Sequence, residues 1–359
     1  MKRLLPLLVL LLSGCAIPRA AAPPAAAADP APVAIAERYV TAESPADELD
    51  SLATWPAPDG TLWLVATAKH SHQLVVFDAS SGERLHAVGG EGDAPGRFRR
   101  PNGVIVHGDH LLVSERDNRR VQVLLLPEFR PLGSFGQGEL RSPYGVWLHE
   151  PASGQLEVYV TDSFMYGSRF DQVPPLAELD QRVRRYRLRV DDERIEAEYR
   201  GAFGDTREAG ALRMVESLAG DPLHDRLLVA DEDTRHEATL REYTLSGVPT
   251  GRGLPAGTFL AEPEGVALWD CGDGEGYWIA ADQLNPLTIF RLFERRTLAP
   301  RGAFTGTTVA WTDGISLHAA GTPRFPGGAL FAVHADKAIG AFDLRDVVDA
   351  LQLDPRCVR

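Results

Sequence analysis

The chain is poor in the features that mark most soluble enzymes and most membrane proteins. Its 359 residues hold three cysteines. None stands in a CxxC pair or beside a cluster of histidines, so nothing suggests zinc. There is no GxSxG turn of a serine hydrolase, and no GxGxxG follows a strand-like run. Basic charge is scarce: 37 Lys and Arg stand against 50 Asp and Glu, a formal net charge of −13. Nucleic acid is therefore a poor partner, since it needs a basic stripe. An excess of acid suits a chain that collects cations, and it also serves plain solubility. Helical periodicity is nearly absent until the last residues, where "LRDVVDALQL" reads as a short terminal helix.

The start of the chain is of another kind. "MKRLLPLLVLLLSGC" has a basic beginning and an apolar stretch too short to span a membrane as a helix. It reads as an export signal over residues 1–15. Its Leu-Ser-Gly-Cys end resembles a bacterial lipobox, with Cys15 as the acylated residue; an ordinary secretory signal is the alternative. Residues 16–34 are almost all Ala and Pro and look like a tether, so the folded domain is expected over 35–359. The expected address is an exported lipoprotein of the cell envelope, at the outer membrane, in the periplasm or on the surface. It would touch the membrane only through its lipid and act as a monomer. Export makes a bond between Cys271 and Cys357 possible, but their spacing does not decide between that and free thiols.

From residue 61 onward a short β run, a Gly/Asp/Pro turn and another β run recur. Examples are "TLWLVAT" and "QLVVFDA", "HLLVSER" and "RVQVLLL", "GVALW" and "GYWIAAD". A loop insertion interrupts the pattern near 164–180. The runs group into six units of three or four strands, which predicts an all-β fold, a six-bladed β-propeller. Two packed β-sandwiches are the alternative. The last unit lacks an outer strand, and "AIAERYVTA" at 34–42 is expected to supply it and close the ring.

In a propeller the inner strands begin near one axis. At those beginnings stand Asp47, Glu48 and Asp50, then Tyr144, Glu216, Glu262 and Glu264, and Asp313, with Asp231-Glu232-Asp233 after a neighbouring strand. Taken singly, each is an ordinary turn or rim residue. Taken together, they would crowd carboxylates into one funnel and raise each other's pKa until a hard cation relieved them. Calcium accepts many oxygens in loose geometry, and no histidine accompanies these acids. Lys69 and Arg116 end two other strands and suit an anionic ligand held beside the acids.

These residues carry a resemblance. "AEPEGVALWDCGDGEGYWIAADQLNPLTIFRL", "VESLAGDPLHDRLLVADED", "WTDGISLHAAGTPRFPGGALFAVHAD" and "YGVWLH" resemble motifs of the β-propeller phytases over about 45–345. "GGEGDAPGRFRRPNGVIV" and "SERDNRRVQVL" are similar to NHL-type propeller repeats. The resemblance implies a six-bladed, calcium-dependent, 3-phytase-like phosphatase acting on myo-inositol hexakisphosphate or a related small phosphate ester. It implies that Asp50, Tyr144, Glu216, Asp231, Glu262, Glu264 and Asp313 hold calcium. Lys69 and Arg116 would bind phosphate, and Glu264 would hold the ions that carry out metal-assisted hydrolysis. The chain departs from the pattern at Ser51, Leu52 and Ser217, and where Asp162-Ser163 replaces a lysine. Those losses keep a non-catalytic, calcium-stabilised binding propeller open as the alternative.

Overall fold

The structure, a computed structural model, describes residues 31–191 and 193–358. The expected export signal, Cys15 and most of the tether lie outside the described residues. The described chain forms six sheets, each built of consecutive antiparallel strands, and two of them gain a short N-terminal strand. We call them blades one to six: residues 49–89, 101–135, 143–203, 215–253, 263–305 and 315–343. The chain is thus all-β, a six-bladed propeller.

The repeating pattern explains why the sheets form. Second and third strands such as Leu62–Ala68, Gln73–Asp78 and Arg226–Asp231 are buried along nearly their whole length. Covered on both faces, they read as continuous apolar runs rather than alternating ones. Each such face packs on the next blade. Trp55, Val76, Val113 and Phe129 join blades one and two, and Phe135, Leu148, Val160 and Tyr186 join two and three. Equivalent clusters run round the ring to Leu64, Phe77, Phe331 and Ile339, which join blade six back to blade one.

The ring closes with its own N-terminal segment. Tyr39–Val40 pairs antiparallel with Ala338–Asp343 as the outer strand of blade six, as the sequence predicts. The expected domain boundary at residue 35 needs correction. Val33–Ala34 already pairs in parallel with Phe304 and Thr305 and caps the edge of blade five. That protects an open row of backbone groups, a task that needs no side-chain pattern. Glu37 fixes the crossing between blades by accepting the backbone N–H groups of Thr307, Thr308 and Val309.

The C-terminal helix forms over Leu344–Leu351, capped by the Asp343 carboxylate. Leu344, Val347, Val348 and Leu353 extend the core between blades five and six. A disulfide joins Cys271 to Cys357 and ties this tail to blade five. Among the described residues no helix is long and apolar enough to cross a membrane.

One recurrent irregularity positions the site. Five inner strands slip register within their first residues: between Leu49 and Leu52, Pro101 and Val104, Pro143 and Val146, Val215 and Leu218, and Glu264 and Val266. Each is a bulge, which re-aims the side chain beside it. Two glycines show how close the strands come there. A Cβ on Gly145 would lie 2.2 Å from the Glu216 carbonyl oxygen, and one on Gly314 would lie 2.4 Å from that of Asp50.

Candidate metal centre

The bulges turn one residue per blade toward the axis. Asp50, Asn102, Tyr144, Glu216 and Glu264, with Asp313 just ahead of blade six, line one small void of about 20 Å³. A second set stands one residue past the end of each second strand: Lys69, Arg116, Ser163, Glu232, Gln283 and Ala335. Lys69 meets Asp50 and Asp313, and the Gln283 side-chain amide donates to Asp313. Ser163 is taken by the fold: its hydroxyl accepts the Val215 backbone N–H at 3.1 Å. Below the rim the channel is lined by apolar side chains from every blade, among them Leu52, Val104, Val146, Leu218, Val266 and Leu317, together with polar groups.

The rim holds two groups of carboxylates. In the first, Glu216, Glu232 and Glu264 each bring an oxygen within 4.8 Å of the others. The outer oxygen Oε1 of Glu232 is buried and has no hydrogen-bond partner. All three acids are pushed well above the ordinary carboxylate range. Burial is the main cause, followed by repulsion from neighbouring acids, Asp50 for Glu216 and Glu216 itself for Glu232 and Glu264. Glu262 stands half-buried beside them, its own pKa raised by burial. Its charge bears on all three without supplying an oxygen to the cluster.

In the second group a lysine stands between the acids and offsets part of their charge. The Lys69 ammonium lies 2.9 Å from Asp50 Oδ2 and 3.0 Å from Asp313 Oδ2. Burial alone would lower the lysine's pKa, but the two carboxylates more than reverse that and hold it charged. Asp313 is nevertheless pushed up to about 8, by burial first, with Lys69 opposing and Asp50 and Asp336 adding repulsion. Between the groups, burial and the Glu216 charge push the Tyr144 phenol up to about 12. Arg116 is hydrogen-bonded to Tyr144 and keeps its Nε on Asp117 at 2.7 Å.

The first group fits a hard divalent cation. Its donors are all oxygens and one is left orphaned in the interior, and Glu216 and Glu264 also line the small void, which they share with Asp50 and Asp313. No histidine or cysteine belongs to it, which disfavours zinc and copper. Without a cation, burial and mutual repulsion favour the protonated form of each.

Asp231 lies outside the trio. The resemblance gives it a ligand's place, but the structure uses it inside its own blade. Its Oδ1 accepts the Met214 backbone N–H at 3.0 Å, and Oδ2 lies 3.9 Å from Arg241 Nε. Glu115, Asp162 and Asp282 do the same work at the same register in blades two, three and five. Each accepts backbone N–H groups ahead of the inner strand and pairs with an arginine on the third strand, respectively Arg120, Arg184 and Arg291. The neighbour, Glu232, is the one that reaches the cluster. Superposing the blades would have found it, because Lys69, Arg116 and Glu232 share one repeat position.

No family model matches the chain, and no curated protein matches it either. Solved structures do. The Cps50 (Swd1) β-propeller domain of Myceliophteria thermophila is 12% identical and matches with a TM-score of 0.50. The match covers 85% of this chain and 99% of that one. Kuenenia stuttgartiensis hydrazine synthase is 11% identical at a TM-score of 0.49, over 88% of this chain and 82% of that one. The chain is a β-propeller. At such low identity the Cps50 likeness speaks to fold alone.

Proposed function

We propose that this propeller is an exported, calcium-dependent phosphomonoester hydrolase of the phytase kind, acting on phytate or a smaller phosphate ester. The observation that carries the reading is the uncompensated trio Glu216, Glu232 and Glu264 at the axis, with one buried oxygen lacking any partner. Glu216, Glu232 and Glu264 would hold the cation, with Tyr144, Glu262 and Asp313 around it. Calcium bound there would supply charge neutralisation and Lewis acidity toward a phosphoryl oxygen. The chain's own part is positioning. Lys69, held charged by its two aspartates, and Arg116, held by Asp117 and Tyr144, offer fixed donors to an anion on the rim. The disulfide supports an oxidising compartment outside the cytosol, in line with the export-like start of the chain.

One observation favours the second reading, a binding propeller pinned by a structural cation. The axial void of about 20 Å³ admits an ion but not a phosphate group, so any ester must dock above it. A single assay separates the two readings: phosphate release from phytate with calcium and with chelator, between about pH 5 and 9. Release that chelation stops, and that Glu264→Gln reduces to background, is the expected result. A folded protein that binds calcium and releases no phosphate at any of these pH values leaves only the binding module.

A further inference from the structure

On the blade-one side of the rim a third carboxylate lies between two cations. Glu48 Oε1 is 3.0 Å from Arg100 Nη2 and 3.8 Å from Lys69 Nζ. Arg100 enters the inner strand of blade two, so the contact bridges neighbouring blades. Glu48 and Arg100 both hold left-handed backbone, with φ of 54° and 50°. Residues with a Cβ adopt that region rarely, and at a cost. The Glu48 backbone is pinned, since its carbonyl accepts the Lys69 N–H at 2.9 Å, which leaves the side chain as the part free to move. Both side chains of the Glu48–Arg100 pair are 28% exposed, though Arg100 Nε itself is covered while Glu48 is in place.

The guanidinium is only half used. Glu48 takes Nη2, while Arg100 Nε is buried with no hydrogen-bond partner. These two donors form the side-on fork that suits two oxygens of one phosphoryl group. A carboxylate oxygen meeting Nη2 alone fills half of it.

We propose that Arg100 and Lys69 form a phosphoryl subsite on the rim, and that Glu48 is its internal occupant, displaced when the phosphate of a substrate arrives. The inference deepens the phosphomonoester reading and rests on it for the identity of the ligand. An incoming phosphoryl oxygen would replace the Glu48 carboxylate between the same two cations, and the displaced Glu48 charge would turn toward solvent. Arg100 is then a specificity-determining residue that sequence comparison of the motifs does not single out, and Glu48 acts as a competing anion that sets the affinity.

The probe is inorganic phosphate, titrated calorimetrically into the folded mature protein, with calcium kept below the solubility limit of its phosphate. Glu48→Gln removes the competing charge while keeping the shape, and should tighten phosphate binding roughly threefold to fivefold, the weight of one partly screened charge. Arg100→Met should weaken it about tenfold or more, the loss of a charge-assisted fork. Arg100→Lys, which keeps the charge without the fork, should fall between. A merely structural tie between blades gives the opposite pattern: Glu48→Gln lowers the melting temperature and leaves phosphate affinity unchanged or weaker, and that result overturns the proposal. Phosphate binding that responds to both residues in a protein that hydrolyses no ester would leave the subsite standing and remove the enzyme reading. Turnover with phosphate binding indifferent to both would remove the subsite alone.

Discussion

The two carboxylate groups on the rim differ in one respect, and that difference orders everything else. Asp50 and Asp313 have a lysine between them. Glu216, Glu232 and Glu264, equally crowded, have no ion-pair partner in contact among the described residues, and one of their oxygens has no hydrogen-bond partner there. Folded proteins rarely leave buried charge uncompensated, because the desolvation cost far exceeds what packing returns. Blade one supplies its counter-charge from the chain. In the proposed reading blades four and five leave theirs to be supplied from solution, and the rim is a finished group beside an unfinished one that a divalent cation would fill.

The sharpest way to break the comparison is to unfinish the finished half. Lys69→Met leaves Asp50 and Asp313 facing each other, largely buried. Stability should drop by about 3 kcal/mol or more, as when one partner of a buried pair is removed. Added calcium should then recover part of the loss by entering the new vacancy. A melting temperature indifferent to Lys69→Met would mean that the two halves do not differ as described.

A second contrast is in pH. Glu216, Glu232 and Glu264 have folded pKa values raised above those of the unfolded chain, and Asp313 is pushed up to about 8. At these four groups the folded, metal-free protein thus holds more protons than the unfolded chain over a pH range that begins at the ordinary carboxylate value. Stability is fully present below that value and falls as pH rises toward about 8. With chelator present, the melting temperature should decline over this window; with saturating calcium it should stay level. A decline identical in both conditions would contradict a cation at the trio.

The smallest expected effect separates two adjacent acids. Asp231→Asn weakens a backbone-capping carboxylate and should cost about 1–2 kcal/mol of stability. It should leave calcium affinity close to wild type, because the axial place belongs to Glu232. Calcium affinity falling as steeply for Asp231→Asn as for Glu232→Gln would return Asp231 to the metal.

Much of the ring was legible in the sequence. Doubly buried strands must be apolar throughout, and turn residues mark where each ends, so "RLLVADED" and "GYWIAAD" announce themselves. The closing strand at Tyr39–Val40 was legible because blade six lacked one. Val33–Ala34 was not, since its parallel pairing uses backbone groups alone and sits in an Ala/Pro segment. At the site, Glu216, Glu264 and Asp313 were legible from their place before inner strands. Glu232 was hidden by its neighbours: in the run Asp231-Glu232-Asp233 only strand alternation tells which acid faces the axis. Glu48 and Arg100 lie 52 residues apart in chain and meet only because blades one and two are neighbours.

The most direct test of the central claim is a calcium titration of the intact protein beside its Glu232→Gln variant, followed by calorimetry and thermal melting. The account predicts one axial site in the wild-type protein, with a melting temperature that rises on calcium binding. In Glu232→Gln the metal-free form should melt higher than its parent, relieved of one buried acid, and calcium should add nothing. Equal calcium affinity in the two proteins, or a metal-free variant less stable than its parent, would contradict it.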